Sequence, residues 1–395
     1  MSLDFNEDNL IDLCELVTDG SHHSPPSQIE GYYMASVKDM GMYKFNYSDC
    51  RKISKEDYDK LVKSGCSPRN NDILIAKDGS PLSNIFIYKE KCPMVLLSSI
   101  AIIRTNENKI LPKFLKYYLQ NPSIKKYIQT TYTSGSVIPR IILKDFKKFP
   151  INYPNIENQN KIINILERID KKIEVNENIN KNLEEQLSLI FDDYFVKCSA
   201  YDEDSLVKTD WGKIPKEWKN IDFGELIQIT SGDRPDEKSE TKTSEFNIPL
   251  FGASKIMGYT KEYSYDEDIL IIGRVGTHGV VQRVNYPCFP SDNTFVIKSK
   301  YYGFVYQLLK RIDYDSLNTG STQPLITQKS LKTVNVILPD ENSLSEFEKI
   351  SKVFFDKIYL NQNEITILTK LRDTLLPKLM SGEIDVSKIN CDLIK

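Results

Sequence analysis

Few groups of residues in this chain have the types and spacing that bond-breaking chemistry needs. Asp78, followed after a strand-like run by Glu107-Asn108-Lys109, has the acid and Glu-x-Lys order of a nuclease. Such hits are frequent in a chain rich in Lys and Glu, and the second half holds no counterpart. His22 and His23 stand beside Asp19-Gly20, where a metal ligand or a base could sit. With three histidines in all and no acidic cluster at ligand spacing, no metal is expected. There is no Walker A loop, no Gly-x-Ser-x-Gly and no Asn/Asp-Pro-Pro-aromatic loop, and the single Pro-Pro is Pro25-Pro26. The chemistry that remains is binding.

Two matched pairs of basic, hydroxyl-bearing segments carry that reading. Lys77-Asp78-Gly79-Ser80 aligns with Arg274-Val275-Gly276-Thr277, which His278 follows. TSGSVIPRIILKDFKKFPINYP at 133–154 aligns without a gap on NTGSTQPLITQKSLKTVNVILP at 318–339, an offset of 185 (318 less 133). Lys and Arg supply phosphate contacts, Ser, Thr and turn N–H groups add more, and Arg or Gln at a loop tip can read base edges. The candidate DNA-contacting residues are Lys77, Ser80, Ser134, Ser136, Arg140, Lys144 and Lys147 in the first half. In the second they are Arg274, Thr277, His278, Thr319, Ser321, Thr322, Gln323, Lys329 and Lys332. Lys144 and Lys147 recur as Lys329 and Lys332, as phosphate contacts would. Val137, Ile138 and Arg140 face Thr322, Gln323 and Leu325, so different sequences could be read.

Both segments lie in locally basic windows. Lys113, Lys116, Lys125, Lys126, Arg140, Lys144, Lys147 and Lys148 are opposed only by Asp145. Lys298, Lys300, Lys310, Arg311, Lys329 and Lys332 are opposed by Asp313 and Asp315. One such run would be an ordinary solvated face; recurrence at the same place favours a nucleic-acid surface. The net charge of −3 gives no global sign of one.

The elements that must position these segments repeat with them. ILIA, IFIY, IAIIR, ILIIG, VVQRV and TFVIK are short β-branched runs bounded by turn residues, and helical stretches such as PKFLKYYLQ lie among them. Each half is an α+β domain with a small mixed or antiparallel sheet. ELVTDG (15–20) resembles ELIQITSG (225–232). After each Gly-Ser segment comes a heptad-like seam with alternating steps of four and three. The first runs Ile162, Leu166, Ile169, Ile173, Asn176, Asn180, Leu183, Leu187, Ile190 and Tyr194. The second runs Phe347, Ser351, Phe354, Ile358, Asn361, Ile365, Leu368, Arg372, Leu375 and Leu379. Asn176 and Asn361 hold matching seam positions, where a polar residue costs stability and fixes register. The expected organisation is two similar domains, 1–154 and 198–340, the latter including a linker. Two long helices, within 155–197 and 341–395, join them by pairing as an antiparallel coiled coil.

At 395 residues the chain needs more than one core. Its seven cysteines are scattered, odd in number and without CxxC, as in a reducing cytoplasm. MSLDFNEDN has no apolar core of a signal peptide, and MVLLSSIAII is too short to span a bilayer.

The duplicated Gly-Ser segments, WGKIPKEW (211–218) and LRDTLLPKLMSGEI (371–384) resemble the specificity subunit of type I restriction–modification systems. The first half has no counterpart of WGKIPKEW. The resemblance implies two target-recognition domains, each reading half of a split double-stranded DNA target. It implies paired helices that space the readers and dock two methyltransferase subunits, with a restriction subunit outside. It also implies no catalysis and no cofactor on this chain: S-adenosylmethionine belongs to the methyltransferase, ATP and Mg to the restriction subunit. The competing expectations are a sequence-specific nuclease using Asp78, Glu107 and Lys109, and a coiled-coil scaffold with no DNA role.

Overall fold

In the computed structural model, residues 4–89, 92–135, 137–209, 212–276, 279–318 and 325–388 are described. The chain divides into two compact units, Met1–Val175 with Glu364–Lys395, and Asn176–Asn363.

The first unit is built on a four-stranded antiparallel sheet. Its order is Cys14–Asp19, Ile100–Thr105, Ile73–Ala76, Ile85–Ile87. Of the central strands, Ile73–Ala76 is apolar throughout and Ile100–Thr105 is apolar up to Arg104, because both faces are covered. Alternation divides their side chains between two cores. Ile73, Ile75 and Ile103 pack with Phe114, Leu115 and the long-helix residues Ile162, Leu166, Leu376 and Leu379. Leu74, Ala76, Ile100 and Ile102 pack with Ala35, Phe45, Phe86 and Leu96. That second core is closed by a mixed sheet of Lys52–Ile53, Tyr32–Ala35 and Met94–Leu96. A further ribbon pairs Asn6–Asn9 with Pro150–Tyr153.

The second unit repeats this topology. Its four-stranded sheet runs Gln228–Ser231, Thr294–Lys298, Ile269–Gly273, Val281–Val284, and its mixed sheet Ile256–Thr260, Ile248–Phe251, Phe289–Pro290. Lys219–Asp222 pairs with Asn335–Leu338. The resemblance of Asp19-Gly20 to Ser231-Gly232 has a steric cause. A Cβ on Gly20 would lie 2.2 Å from the Leu96 carbonyl oxygen, and one on Gly232 2.2 Å from that of Ser291. At both places the backbone passes too close for a side chain.

Two helices of 40 residues each, Ile156–Phe195 and Glu341–Met380, follow the ribbons. Each opens on a cap set behind a proline. Asn155 Oδ1 accepts from Asn158 N at 2.9 Å, and Asp340 Oδ1 from Asn342 N and Ser343 N at 3.1 and 3.0 Å. Ordinary capping is at work in both. The helices pair antiparallel inside each unit. In the first, Arg372 Nη1 lies 3.1 Å from Asp170 Oδ1 and Lys172 Nζ 3.4 Å from Glu364 Oε2, so chain order runs opposite. In the second, Asn361 Nδ2 donates to Asn180 Oδ1 at 2.8 Å, and the Phe191 and Phe347 rings meet at 5.7 Å.

The expected seam residues lie on these two helices, and none of them is exposed. Ile173, Asn176, Leu187, Ile358 and Asn361 are buried; Ile169, Leu183, Ile190, Phe354, Ile365, Leu368 and Leu375 are half-buried. Asn361 takes its partner from Asn180, one turn beyond Asn176. The compact units divide both helices near their middles, since Ile162 and Leu166 belong to the first core, and Leu187 and Phe191 to a core of the second.

The segment expected as a linker is structured. Leu206–Thr209 pairs with Gly212–Pro215, and Trp218, 6% exposed, packs with Phe195, Phe304 and Phe347. Trp211 lies outside the described residues. Among the described residues, no helix is long and apolar enough to cross a membrane.

Candidate nucleic-acid interface

The two segment types that the sequence matched separately are hydrogen-bonded to each other in each unit. In the first, Thr133–Ser134 and Arg140–Ile141 form a short antiparallel hairpin. Ile141 N donates to Lys77 O at 3.0 Å, and Gly79 N to Pro139 O at 2.9 Å. An isolated bridge joins Asp78 to Arg140. In the second unit the matching bond runs from Ile326 N to Arg274 O at 2.9 Å, and the matching bridge joins Val275 to Leu325. The turns agree as well: Gly79 has φ +80 and Gly276 φ +81. Positive φ is the region where a Cβ is unfavourable, so both turns call for glycine. One composite loop pair has therefore been built twice.

Display of side chains on this surface is selective. Ser80 and Ser134 are exposed, and Val137 and Ile138 at the hairpin tip are 89% and 61% exposed. The Arg140 side chain is 55% exposed and approaches Asp78 Oδ1 through Nε at 3.0 Å. Lys144, Lys148, Lys329 and Lys332 are exposed and Lys147 half-buried, with no acidic partner for any of them among the described residues. Ser136, Thr277, His278, Thr319, Ser321, Thr322 and Gln323 lie outside the described residues.

A family model for the type I restriction modification DNA specificity domain matches residues 5–185 and again 215–372. The chain belongs to this family. It is 24% identical over 403 residues to the type I restriction enzyme MjaIX specificity subunit of Methanocaldococcus jannaschii, covering 93% of this chain and 91% of that protein. It is 21% identical to the HindI specificity subunit of Haemophilus influenzae, over 76% of this chain and 83% of the relative. Its fold is similar to the crystal structure of the type I restriction-modification S subunit from M. genitalium. That likeness has a TM-score of 0.58 at 18% identity and covers 95% of this chain and 96% of the other.

Within this family fold several of the basic residues singled out by sequence have other work. Lys77 is 4% exposed, and its Nζ lies 2.5 Å from Asp19 Oδ2. An enclosed, paired ammonium is not displayed to phosphate, so Lys77 is corrected from a surface contact to a support of its turn. His22 Nε2, 3.4 Å from the same oxygen, joins that cluster. Arg274 is half-buried, with its guanidinium 5.7 Å over the Phe295 ring.

The basic windows are divided in the same way. Lys113 pairs with Glu167 at 2.7 Å. Lys116 lies 3.8 Å from Asp170 and 4.3 Å over the Tyr117 ring. Burial pushes its pKa down, against the upward pull of Asp170 and Glu167. In the second unit Lys310 and Arg311 reach Glu184 and Asp192 of the long helix at 3.3 and 2.7 Å. Lys298 pairs with Glu267 and Lys300 with Glu341. The recurrence of basic windows is thus partly a recurrence of helix docking.

Asp78 and Glu107 are held at opposite ends of the first sheet. The register Ile73↔Ile103, Ala76↔Ile100 sets Asp78 level with position 98. Glu107 is nine residues further on, roughly 30 Å at the rise of a strand. Lys109 Nζ donates to Asp12 O at 3.1 Å. Asp78, Glu107 and Lys109 cannot share a substrate, and the nuclease expectation is set aside.

Sequence reasoning missed the anchors of the helices. Tyr117 Oη donates to Asp170 at 2.7 Å. Arg283 reaches Glu184 at 2.6 Å while its guanidinium sits 4.0 Å over Phe355. Nothing in their local sequence marks them, because each partner is at least fifty positions away.

Proposed function

We propose that this specificity subunit reads a bipartite duplex target, one half-site per unit, through the doubled loop pair, and supplies no bond-breaking step itself. The observation that supports this reading is the recurrence of one backbone arrangement carrying different side chains. Ile141 with Lys77 and Ile326 with Arg274 make the same bond, and both turns use a positive-φ glycine. The Asp78–Arg140 bridge, in contrast, is charged where Val275–Leu325 is apolar. A conserved scaffold with exchanged tips is what two readers of unlike sequences need. Two methyltransferase subunits would dock along the paired helices, carrying S-adenosylmethionine to an adenine of each half-site. A restriction subunit would bring ATP and Mg, and the assembly would work in the cytoplasm.

The test is to express the chain with a methyltransferase subunit of its own system and map methylated adenines by sequencing. A split motif is expected. Replacing the hairpin residues 133–141 should change one half of it and leave the other. Loss of both halves together, with the complex intact, would overturn the assignment of one half-site per unit.

A further inference from the structure

The Asp78–Arg140 pair occurs once in two otherwise matched loop pairs. We propose that Arg140, positioned by Asp78, reads a guanine in the half-site bound by the first unit; this rests on the function proposed above.

Four observations carry it. First, the pair stands on the composite loop and not on the sheet behind it. Ser134 faces Arg140 across the hairpin, and the bridge from Arg140 to Asp78 ties the hairpin to the glycine turn. Second, the two ends of the pair differ in exposure. The Asp78 side chain is 13% exposed and the Arg140 side chain 55%. A buried carboxylate thus anchors a guanidinium that projects into solvent. Third, the anchor grips one side of the fork. Arg140 approaches Asp78 Oδ1 through Nε, as a charge contact without an aligned hydrogen bond, since Oδ1 accepts none. The Nη1 and Nη2 donors have no acceptor among the described residues. Two parallel donors on a planar fork match the O6 and N7 acceptors that guanine shows in the major groove. A two-stranded ribbon such as this hairpin can enter that groove. Fourth, the Val275–Leu325 bridge at the equivalent place holds neither charge. The second unit therefore has no copy of the device, and its half-site carries no matching demand.

Lys144, Lys147 and Lys148 follow the hairpin with no acidic partner among the described residues, and so supply the phosphate contacts that bring the fork to the groove. Anchoring matters because a free arginine loses rotamer entropy on binding, whereas one already held loses less.

The experiment uses the full chain assembled with its methyltransferase and a library of duplexes randomised in both half-sites. Bound sequences are read out, and thermal melting checks that each variant is folded. Arg140→Ala should abolish preference for guanine at one position, a loss of about 5- to 150-fold in discrimination, and leave the other half-site unchanged. Arg140→Lys keeps the charge and loses the fork, so it should fail to restore that preference while binding of unrelated sequences stays near wild type. Asp78→Asn should weaken the same preference, by less, at the same position. Should Arg140→Lys keep full discrimination, or Arg140→Ala weaken all sequences equally with a smaller salt dependence, Arg140 is a phosphate contact and the inference is wrong. A wild-type assembly with no base preference at any position would overturn the specificity function itself, a different outcome from either.

Discussion

Asp340 shows how much one side chain can organise. It caps the second long helix and also accepts from Ser343 Oγ at 2.7 Å, Tyr201 Oη at 2.7 Å and Trp218 Nε1 at 3.1 Å. Burial alone would raise its pKa, but these donors outweigh it and hold the carboxyl well below its usual range. A depressed carboxylate stabilises the fold fully above its unfolded pKa, near ~3.9, and loses that contribution as pH falls through the lower folded value. Asp340→Asn should therefore melt earlier than wild type at pH 7, and the gap should narrow as pH drops below about 4. A gap that stays constant down to pH 3 would mean the charge contributes nothing. Lys332 makes a contrasting case. It is exposed, has no acidic partner among the described residues and recurs as Lys147. Lys332→Ala should weaken binding to every sequence and lower the salt slope by about one, read from binding titrations over a range of salt.

The long helices are where pattern and packing agree most closely. Period 3.5 requires a partner, and the partner is the other helix, met antiparallel within each unit. The amide pair of buried Asn361 and half-buried Asn180 is the sensitive point. Asn361 and Asn180 bond at 2.8 Å in a mainly apolar seam. Asn361→Leu should destabilise by about 1–3 kcal/mol, because Asn180 Oδ1 loses its donor while Asn180 Nδ2 keeps the Ile358 carbonyl. Adding Asn180→Leu should recover most of that loss and can raise stability, at the cost of register. Denaturant titrations of the two single variants and the double variant give the coupling directly; simple additivity would show that the bond is inert. Phe347 is fully buried and meets the rings of Phe191 and Phe195. Phe347→Ala should cost about 3–5 kcal/mol.

For the chain as a whole, the prediction is an absence of chemistry. The acid and Glu-x-Lys pattern is divided between opposite ends of a sheet, so the purified chain incubated with DNA and Mg²⁺ should neither cleave nor methylate it. Cleavage by the chain alone, surviving Asp78→Ala and Glu107→Ala, would point to a centre formed by other residues. The doubled topology has the opposite consequence for binding. Each unit has its own sheet cores and its own loop pair, so base preferences should change one half-site at a time. A variant at Arg140 and one at Lys332 should add nearly independently in binding free energy, within about 0.5 kcal/mol. Strong coupling in a double-variant titration would contradict two separate readers.

The linear sequence by itself determined the duplication, the strand runs, the seam and the helix starts. All of these are local or periodic signals, and Pro154-Asn155 and Pro339-Asp340 mark the helix starts directly. It also matched Lys77 with Arg274 and Gly135 with Gly320, but as two separate resemblances. Only the tertiary structure joined them, because the bond from Ile141 to Lys77 spans 64 positions, 141 less 77, and no periodicity reports such a pairing. Charge was the least legible property. Lys77, Lys116, Lys310 and Arg311 look like Lys144 and Lys332 in the sequence. Whether an ammonium faces solvent or a carboxylate depends on distant residues such as Asp19, Asp170, Glu184 and Asp192. A charged side chain taken out of water has to find its counterion, and the fold decides which one lies within reach.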